Sequence, residues 1–193
     1  EYGPDRADAE WLWLLDPIDG TRAFVTGRPL FGCLVALLHR GRPVLGLIDQ
    51  PVAGERWIGV AGEGTRFRSP MGGRARCRPC ARIEDAEFSS TSPEVMGPAD
   101  TPGFDRLRRA ARRRTWGGDC YGYGLLALGL VDVIAEATMQ PWDWAALVPV
   151  VEGAGGRVTD WAGRSLTMDT DGRVLAVGDP ALLAEAVGLL TGR

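Results

Sequence analysis

The chain has 193 residues and a formal charge of −3, and all 22 of its basic side chains are arginine. Without lysine it cannot form a Schiff base, present the lysine of a P-loop or carry that of a protein kinase. Its single histidine, His39, excludes a multi-histidine zinc site and leaves a Ser-His-Asp or Cys-His arrangement one residue to pass through.

Trp11 to Leu15 is a short apolar run that stops at Asp16-Pro17, as a buried strand delivering a loop would. Phe31 to Leu38, Pro43 to Asp49 and Glu55 to Val60 are β-rich runs separated by turn chemistry, which predicts an antiparallel meander. Ala61 to Arg82 is rich in glycine and arginine and reads as hairpin tips and surface loop around one further strand. Phe88 to Ser92 predicts a strand, and Pro102 to Arg114 an arginine-studded helix. Helices are then expected over Tyr121 to Gly129, Trp142 to Gly153 and Pro180 to Leu190. Strands are expected over Val131 to Glu136, Gly156 to Asp160 and Val174 to Val177. An antiparallel first half and an alternating second half imply an α/β (α+β) fold of two packed sheets with helices around them.

The remaining composition, 45% hydrophobic and 24% charged, is that of a soluble globular chain. No apolar run approaches the ~20 residues of a membrane span, and the N-terminus does not look like a signal peptide. The expectation is therefore a cytoplasmic protein without membrane or nucleic-acid partners. Arg106, Arg108, Arg109, Arg112, Arg113 and Arg114 read as a solvated helix face, since the net charge is negative. Cys77 and Cys80 have zinc-ligand spacing but no second pair, and read as incidental loop cysteines.

The segment Asp16-Pro17-Ile18-Asp19-Gly20-Thr21 carries the chemistry. Two carboxylates three residues apart on a tight turn, with the Ile18 carbonyl between them, make a hard-cation site suited to Mg²⁺. Gly20 lets backbone pass close to a ligand. A helix starting near Gly20-Thr21 would offer N–H groups to phosphate oxygens, and the Thr21 hydroxyl could orient water. Asp-Pro and Asp-Gly are also ordinary turn pairs. A second carboxylate source is Asp143, in Trp142-Asp-Trp-Ala-Ala146 at the first turn of a predicted helix, where aspartate is also a normal cap.

Together these motifs, with Gly153-Ala-Gly-Gly156 leading to Val158-Thr-Asp160, strongly resemble the inositol monophosphatase family of Mg²⁺-dependent phosphatases. The resemblance covers essentially the whole chain. It implies a layered α-β-α-β-α fold, with a metal-binding lobe over residues 1–86 and an α/β lobe over 87–193. It assigns Asp16, the Ile18 carbonyl, Asp19 and Asp143 to two or three Mg²⁺ ions, and it gives Thr21, with Asp19, a part in activating the attacking water. It also implies a homodimer and a small phosphate-monoester substrate.

Phe88-Ser-Ser-Thr-Ser-Pro-Glu94 and Trp116-Gly-Gly-Asp-Cys-Tyr-Gly-Tyr-Gly124 look more narrowly like the histidinol-phosphatase branch. The implied substrate wall is Gly20, Thr21, Gly118, Asp119, Glu136 and Asp143. An extra carboxylate at Asp119, with Glu136, suits a cationic substrate such as L-histidinol phosphate, in histidine biosynthesis, better than a neutral polyol. Asp119 could equally cap a helix from Cys120. The alternatives are an inositol-1-phosphatase or broader sugar-phosphate phosphatase on the same metal site, and a non-enzymatic binding protein on the same fold.

The front departs from the family pattern. These phosphatases begin with helices and a Gly-Glu-Glu segment whose first glutamate is a ligand, and Glu1-Tyr2-Gly3 lines up with the second. The chain accordingly reads as an N-terminally truncated fragment that lacks that ligand and an upstream acidic partner of Thr21.

Overall fold

The computed structural model describes residues 9–192, so the expectations for Glu1 and the front of the chain lie outside the described residues. Ten strands form two five-stranded sheets. The first is the expected meander, β1 (Trp11–Asp19), β2 (Gly32–His39), β3 (Arg42–Gln50), β4 (Glu55–Val60) and β5 (Arg66–Arg68), antiparallel throughout. A short helix, α1 (Thr21–Val25), joins β1 to β2.

The second sheet has the order β7-β6-β8-β10-β9. β6 (Glu87–Ser90) lies parallel to both β7 (Arg113–Trp116) and β8 (Val133–Glu136). β10 (Val174–Val177) pairs antiparallel with β8 and with β9 (Arg157–Thr159). The connecting helices are α2 (Thr101–Ala110), α3 (Asp119–Ala127), α4 (Pro141–Trp144), α5 (Leu147–Gly153) and, after β10, α6 (Leu183–Thr191).

Two apolar clusters order the layers. One fills the space between the sheets, where Leu34, Ile48 and Trp57 of the first meet Tyr123 and Leu126 of α3, Val150 and Val151 of α5, and Ala176 of β10. The other lies on the far face of the second sheet, where Phe88, Val133 and Leu175 pack against Phe104 and Leu107 of α2 and Ala186 of α6. The described residues thus supply sheet, helices, sheet, helices. The outward face of the first sheet is uncovered among them, and Trp13 and Leu15 are 55% and 60% exposed.

Four expectations need correction. Trp11 to Leu15 is not a buried strand, because alternate residues face outward. It also does not end at Asp16 but runs on to Asp19 through a bulge. The helix expected to reach Arg114 stops at Ala110, since Arg114 donates to the carbonyls of Arg109 and Ala111 at 2.9 and 3.0 Å and the chain then turns into β7. The single helix expected over Trp142–Gly153 is two, α4 and α5. Pro149 explains the break, because its ring clashes with the carbonyl four residues back, at Ala145, and it is tolerated only in the first turn of a new helix.

That break positions the site. A side chain at Gly46 of β3 would collide with the Ala146 carbonyl, so glycine lets the α4–α5 junction lie directly on the first sheet. α4, carrying Asp143, is thereby held against β1 and β2. The arginine run is engaged rather than merely solvated. Arg106 donates to Leu189 O at 2.7 Å, Arg108 and Arg109 pair with Asp105, and Arg113 makes three hydrogen bonds to Glu87. Cys77 and Cys80 are buried, with the Cys80 N–H donating to Asp179 at 2.9 Å.

Candidate metal centre and cleft

Residues an odd number apart on a regular strand point to opposite faces. Asp16 and Asp19 avoid this because β1 bulges between them: Asp16 pairs with Leu34 and Asp19 with Gly32, so three steps on β1 answer two on β2. Pro17, which cannot donate to a ladder, sits inside the bulge. Asp143, on α4, completes the group. One carboxylate oxygen from each of Asp16, Asp19 and Asp143 lies within 4.8 Å of the other two, and all three residues are half-buried.

Each carboxylate is held. The Ile18 N–H donates to Asp16 Oδ1 at 3.1 Å, the Cys120 N–H to Asp19 Oδ2 at 2.6 Å, and the Gln140 N–H to Asp143 Oδ2 at 2.8 Å within a capping box. Asp143 is therefore both the expected cap and a member of the cluster. Burial pushes the Asp19 carboxyl up to about 6, with the charges of Asp119 and Asp16 adding to it and the Cys120 N–H opposing. Burial also raises Asp143, against the Gln140 N–H and with help from Asp16. No ion pair neutralises any of the three among the described residues. A cluster of three carboxylates in which burial and a neighbouring charge penalise the ionised forms of Asp19 and Asp143 fits a hard divalent cation, which removes both penalties.

Around this cluster, Gly20 takes a left-handed conformation (φ 82°) and starts α1. Thr21, exposed as the first residue of α1, donates its hydroxyl to the Ile18 carbonyl at 3.2 Å. The Ile18 carbonyl thus lies next to Thr21, between Asp16 and Asp19 in the chain.

A cleft of about 140 Å³ opens beside the cluster, lined in part by Asp19, Asp143, Asp119, Glu136, Thr91 and Tyr123. Asp119 is the first residue of α3, one past the N-cap Gly118, and its side chain bonds to Thr91 rather than to an N–H of the helix, which corrects the capping alternative. It adopts φ 45° instead, and its Oδ1 accepts from the Thr91 hydroxyl at 3.3 Å. Burial raises its carboxyl, with Thr91 and the guanidinium groups of Arg28 and Arg22 drawing it back. Glu136, at the end of β8, is 4% exposed. It accepts from the Thr91 N–H at 2.6 Å and the Ser90 hydroxyl at 3.2 Å, and burial pushes it up to about 7 against those bonds.

Gly118 stands apart from the wall. It precedes α3 and packs against Gly122. Sequence reasoning missed Thr91, which holds Asp119 and Glu136 at once, and the Cys120 N–H that orients Asp19. Neither has a local signal, because both roles arise from contacts 28 to 101 residues apart.

The chain matches the inositol monophosphatase family over residues 2–190. It is 42% identical over 186 residues to the bifunctional phosphatase IMPL2 of Arabidopsis thaliana, covering 93% of this chain and 53% of that protein. It is 38% identical to the histidinol-phosphatase of Chlorobaculum parvum, covering 85% of this chain and 62% of that one. The chain thus spans between half and two thirds of the length of these relatives. Its fold superimposes on an inositol monophosphatase from Zymomonas mobilis with a TM-score of 0.92 at 45% identity, over 98% of this chain and 74% of the other. With the carboxylate cluster, the two-sheet architecture and the sequence match in agreement, the chain belongs to the inositol monophosphatase family.

Proposed function

We propose that this chain carries the catalytic site of a Mg²⁺-dependent phosphate-monoester hydrolase whose substrate is L-histidinol phosphate. The observation that carries the reading is one cleft with two kinds of carboxylate on it. Asp19 and Asp143, which cluster with Asp16, lie on the cleft, and Asp119 and Glu136 line the wall beside them. The first group suits a metal and a phosphate, the second a cationic leaving group. The likeness to the Chlorobaculum histidinol-phosphatase supports the same substrate.

Bound Mg²⁺ supplies Lewis acidity to the phosphate oxygens and makes water a stronger nucleophile at neutral pH. The chain's own residues do the rest. Asp16, Asp19, Asp143 and the Ile18 carbonyl hold the ion, with Cys120 and Gln140 N–H groups fixing two of the carboxylates. Thr21 keeps its hydroxyl hydrogen on Ile18 and offers its lone pairs outward to orient water. Gly20 brings α1 and the start of α3 close together, and Asp119 and Glu136 bind the positively charged end of the substrate. The proposal includes two or three Mg²⁺ ions and a homodimer, both carried by the family resemblance.

Phosphate release from L-histidinol phosphate should require Mg²⁺ and stop on chelation. Release that continues in excess EDTA would contradict the assignment. The second reading, an inositol-1-phosphatase with the same metal site, is favoured by the likeness to the Zymomonas inositol monophosphatase, and separates from the first by substrate preference.

A further inference from the structure

Tyr123 sits on α3 with 1% exposure, and its side chain reaches the cleft. Among the described residues its hydroxyl meets only the Met139 thioether, with the sulfur at 3.6 Å. A thioether is a weak acceptor, whereas a buried tyrosine hydroxyl ordinarily has a full partner. This one has given up water and received little in return. Burial, reinforced by the charges of Glu136, Asp19 and Asp143, keeps the phenol protonated well above its ordinary range. It remains a donor at any working pH.

The polar groups beside it are of the opposite kind. Asp119 and Glu136 when ionised can only accept, and the Thr91 hydroxyl is committed to Asp119. An imidazole ring in its neutral form has one N–H and one bare nitrogen. A carboxylate serves the N–H but leaves the bare nitrogen unpaired, at a cost when the ring is buried. Position sorts the two wall carboxylates. Asp119 lies at the metal end, where a side chain on Gly20 would touch it at 3.3 Å. Glu136 lines the cleft together with Tyr123 and with Met139, the residue three positions on whose sulfur meets the Tyr123 hydroxyl. In a phosphate ester with an amine near the phosphate and an imidazole beyond it, the amine meets Asp119 and the ring meets Glu136 and Tyr123.

We propose that the Tyr123 hydroxyl binds substrate, donating to the bare nitrogen of an imidazole whose N–H is accepted by Glu136. The assignment rests on the L-histidinol phosphate reading and extends it to a residue that reads the ring.

The test is Tyr123→Phe in the full-length enzyme at saturating Mg²⁺ and pH 8. L-histidinol phosphate is compared with 2-aminoethyl phosphate, which keeps the amine and lacks the ring. The variant keeps the packed ring and loses only a poorly partnered hydroxyl, so Tm should hold or rise. kcat/KM for L-histidinol phosphate should fall about tenfold, the worth of one hydrogen bond, chiefly through KM, while 2-aminoethyl phosphate is unaffected. Equal losses on both substrates, no loss on either, or a clear fall in Tm would each overturn the assignment. The substrate reading fails separately, if the unmodified enzyme shows no preference for L-histidinol phosphate over inositol 1-phosphate.

Discussion

The backbone N–H of Cys120 donates to Asp19 Oδ2 at 2.6 Å across 101 positions of sequence. This bond ties the metal end of β1 to the start of α3, the helix that presents Asp119 and Tyr123. The carboxylate cluster and the cleft wall are therefore one mechanical unit. A change at either end should be felt at the other.

Asp19→Asn and Asp143→Asn should each abolish measurable turnover, a larger effect than the ~10–100-fold cost of losing an outer partner of a metal ligand. Neither should unfold the protein. Each removes a charge from a crowded, half-buried cluster, so the metal-free Tm should stay level or rise. Mg²⁺ titration by calorimetry and a thermal scan on each variant check both halves. Near-normal activity in either would remove that residue from the metal site.

Gly20→Ala tests the junction itself. The residue has φ 82°, and an added Cβ would sit 3.2 Å from Phe31 Cα and 3.3 Å from Asp119 Cβ. The left-handed conformation alone costs an alanine about 1–2 kcal/mol. Thermal unfolding should report a loss of that size, and KM should rise as Asp119 is pushed aside. A variant with unchanged Tm and KM would show that the approach is not constrained.

The two-sheet plan and the pair Asp16 and Asp19 could be read from residues, because turn chemistry, alternation and paired carboxylates leave local marks, whereas Asp143 joined them only through the family resemblance. What the chain does at a distance could not. The bulge that turns Asp16 and Asp19 to one side depends on pairing with β2. Arg113–Trp116 carries arginine, which favours helix, yet becomes an edge strand because Arg113 pairs with Glu87 and Trp116 packs edge-on to Phe88 at 6.0 Å. Asp119 looked like a possible cap until its partner Thr91, 28 residues away, was seen to hold it elsewhere. Tyr123 lies in the segment that resembles the histidinol-phosphatase branch but had no signal of its own, since one more aromatic on an apolar helix reads as core.

Glu136 should make the protein sensitive to pH. Its carboxyl moves from an ordinary 4.5 to about 7 in the fold, burial being the main cause. A raised carboxyl pKa means that the fold prefers the protonated form. Its contribution to stability is therefore complete below about pH 4.5 and is lost as pH rises through about 7. Over the same interval the ionised form that accepts the ring N–H of the substrate appears, so KM for L-histidinol phosphate should fall as metal-free stability falls. Thermal scans and KM between pH 5 and 8 check this. Glu136→Gln should flatten both curves, and curves unchanged in the variant would assign the titration elsewhere.

Asp119→Asn should spare the metal site and weaken recognition of the amine. We expect kcat/KM for L-histidinol phosphate to fall about tenfold, the scale of one hydrogen bond to a charged group, with little change for a neutral ester. An equal fall on both substrates would mean that Asp119 acts through Asp19 and the Gly20 junction rather than on the substrate.

The central claim is that a metal-dependent phosphatase site and a cation-reading wall share one cleft. It is tested most directly by kcat/KM of the full-length enzyme for L-histidinol phosphate against inositol 1-phosphate at saturating Mg²⁺. A preference of tenfold or more for L-histidinol phosphate, about 1.4 kcal/mol of discrimination, is the predicted result. Equal rates, or a preference for inositol 1-phosphate, would contradict it.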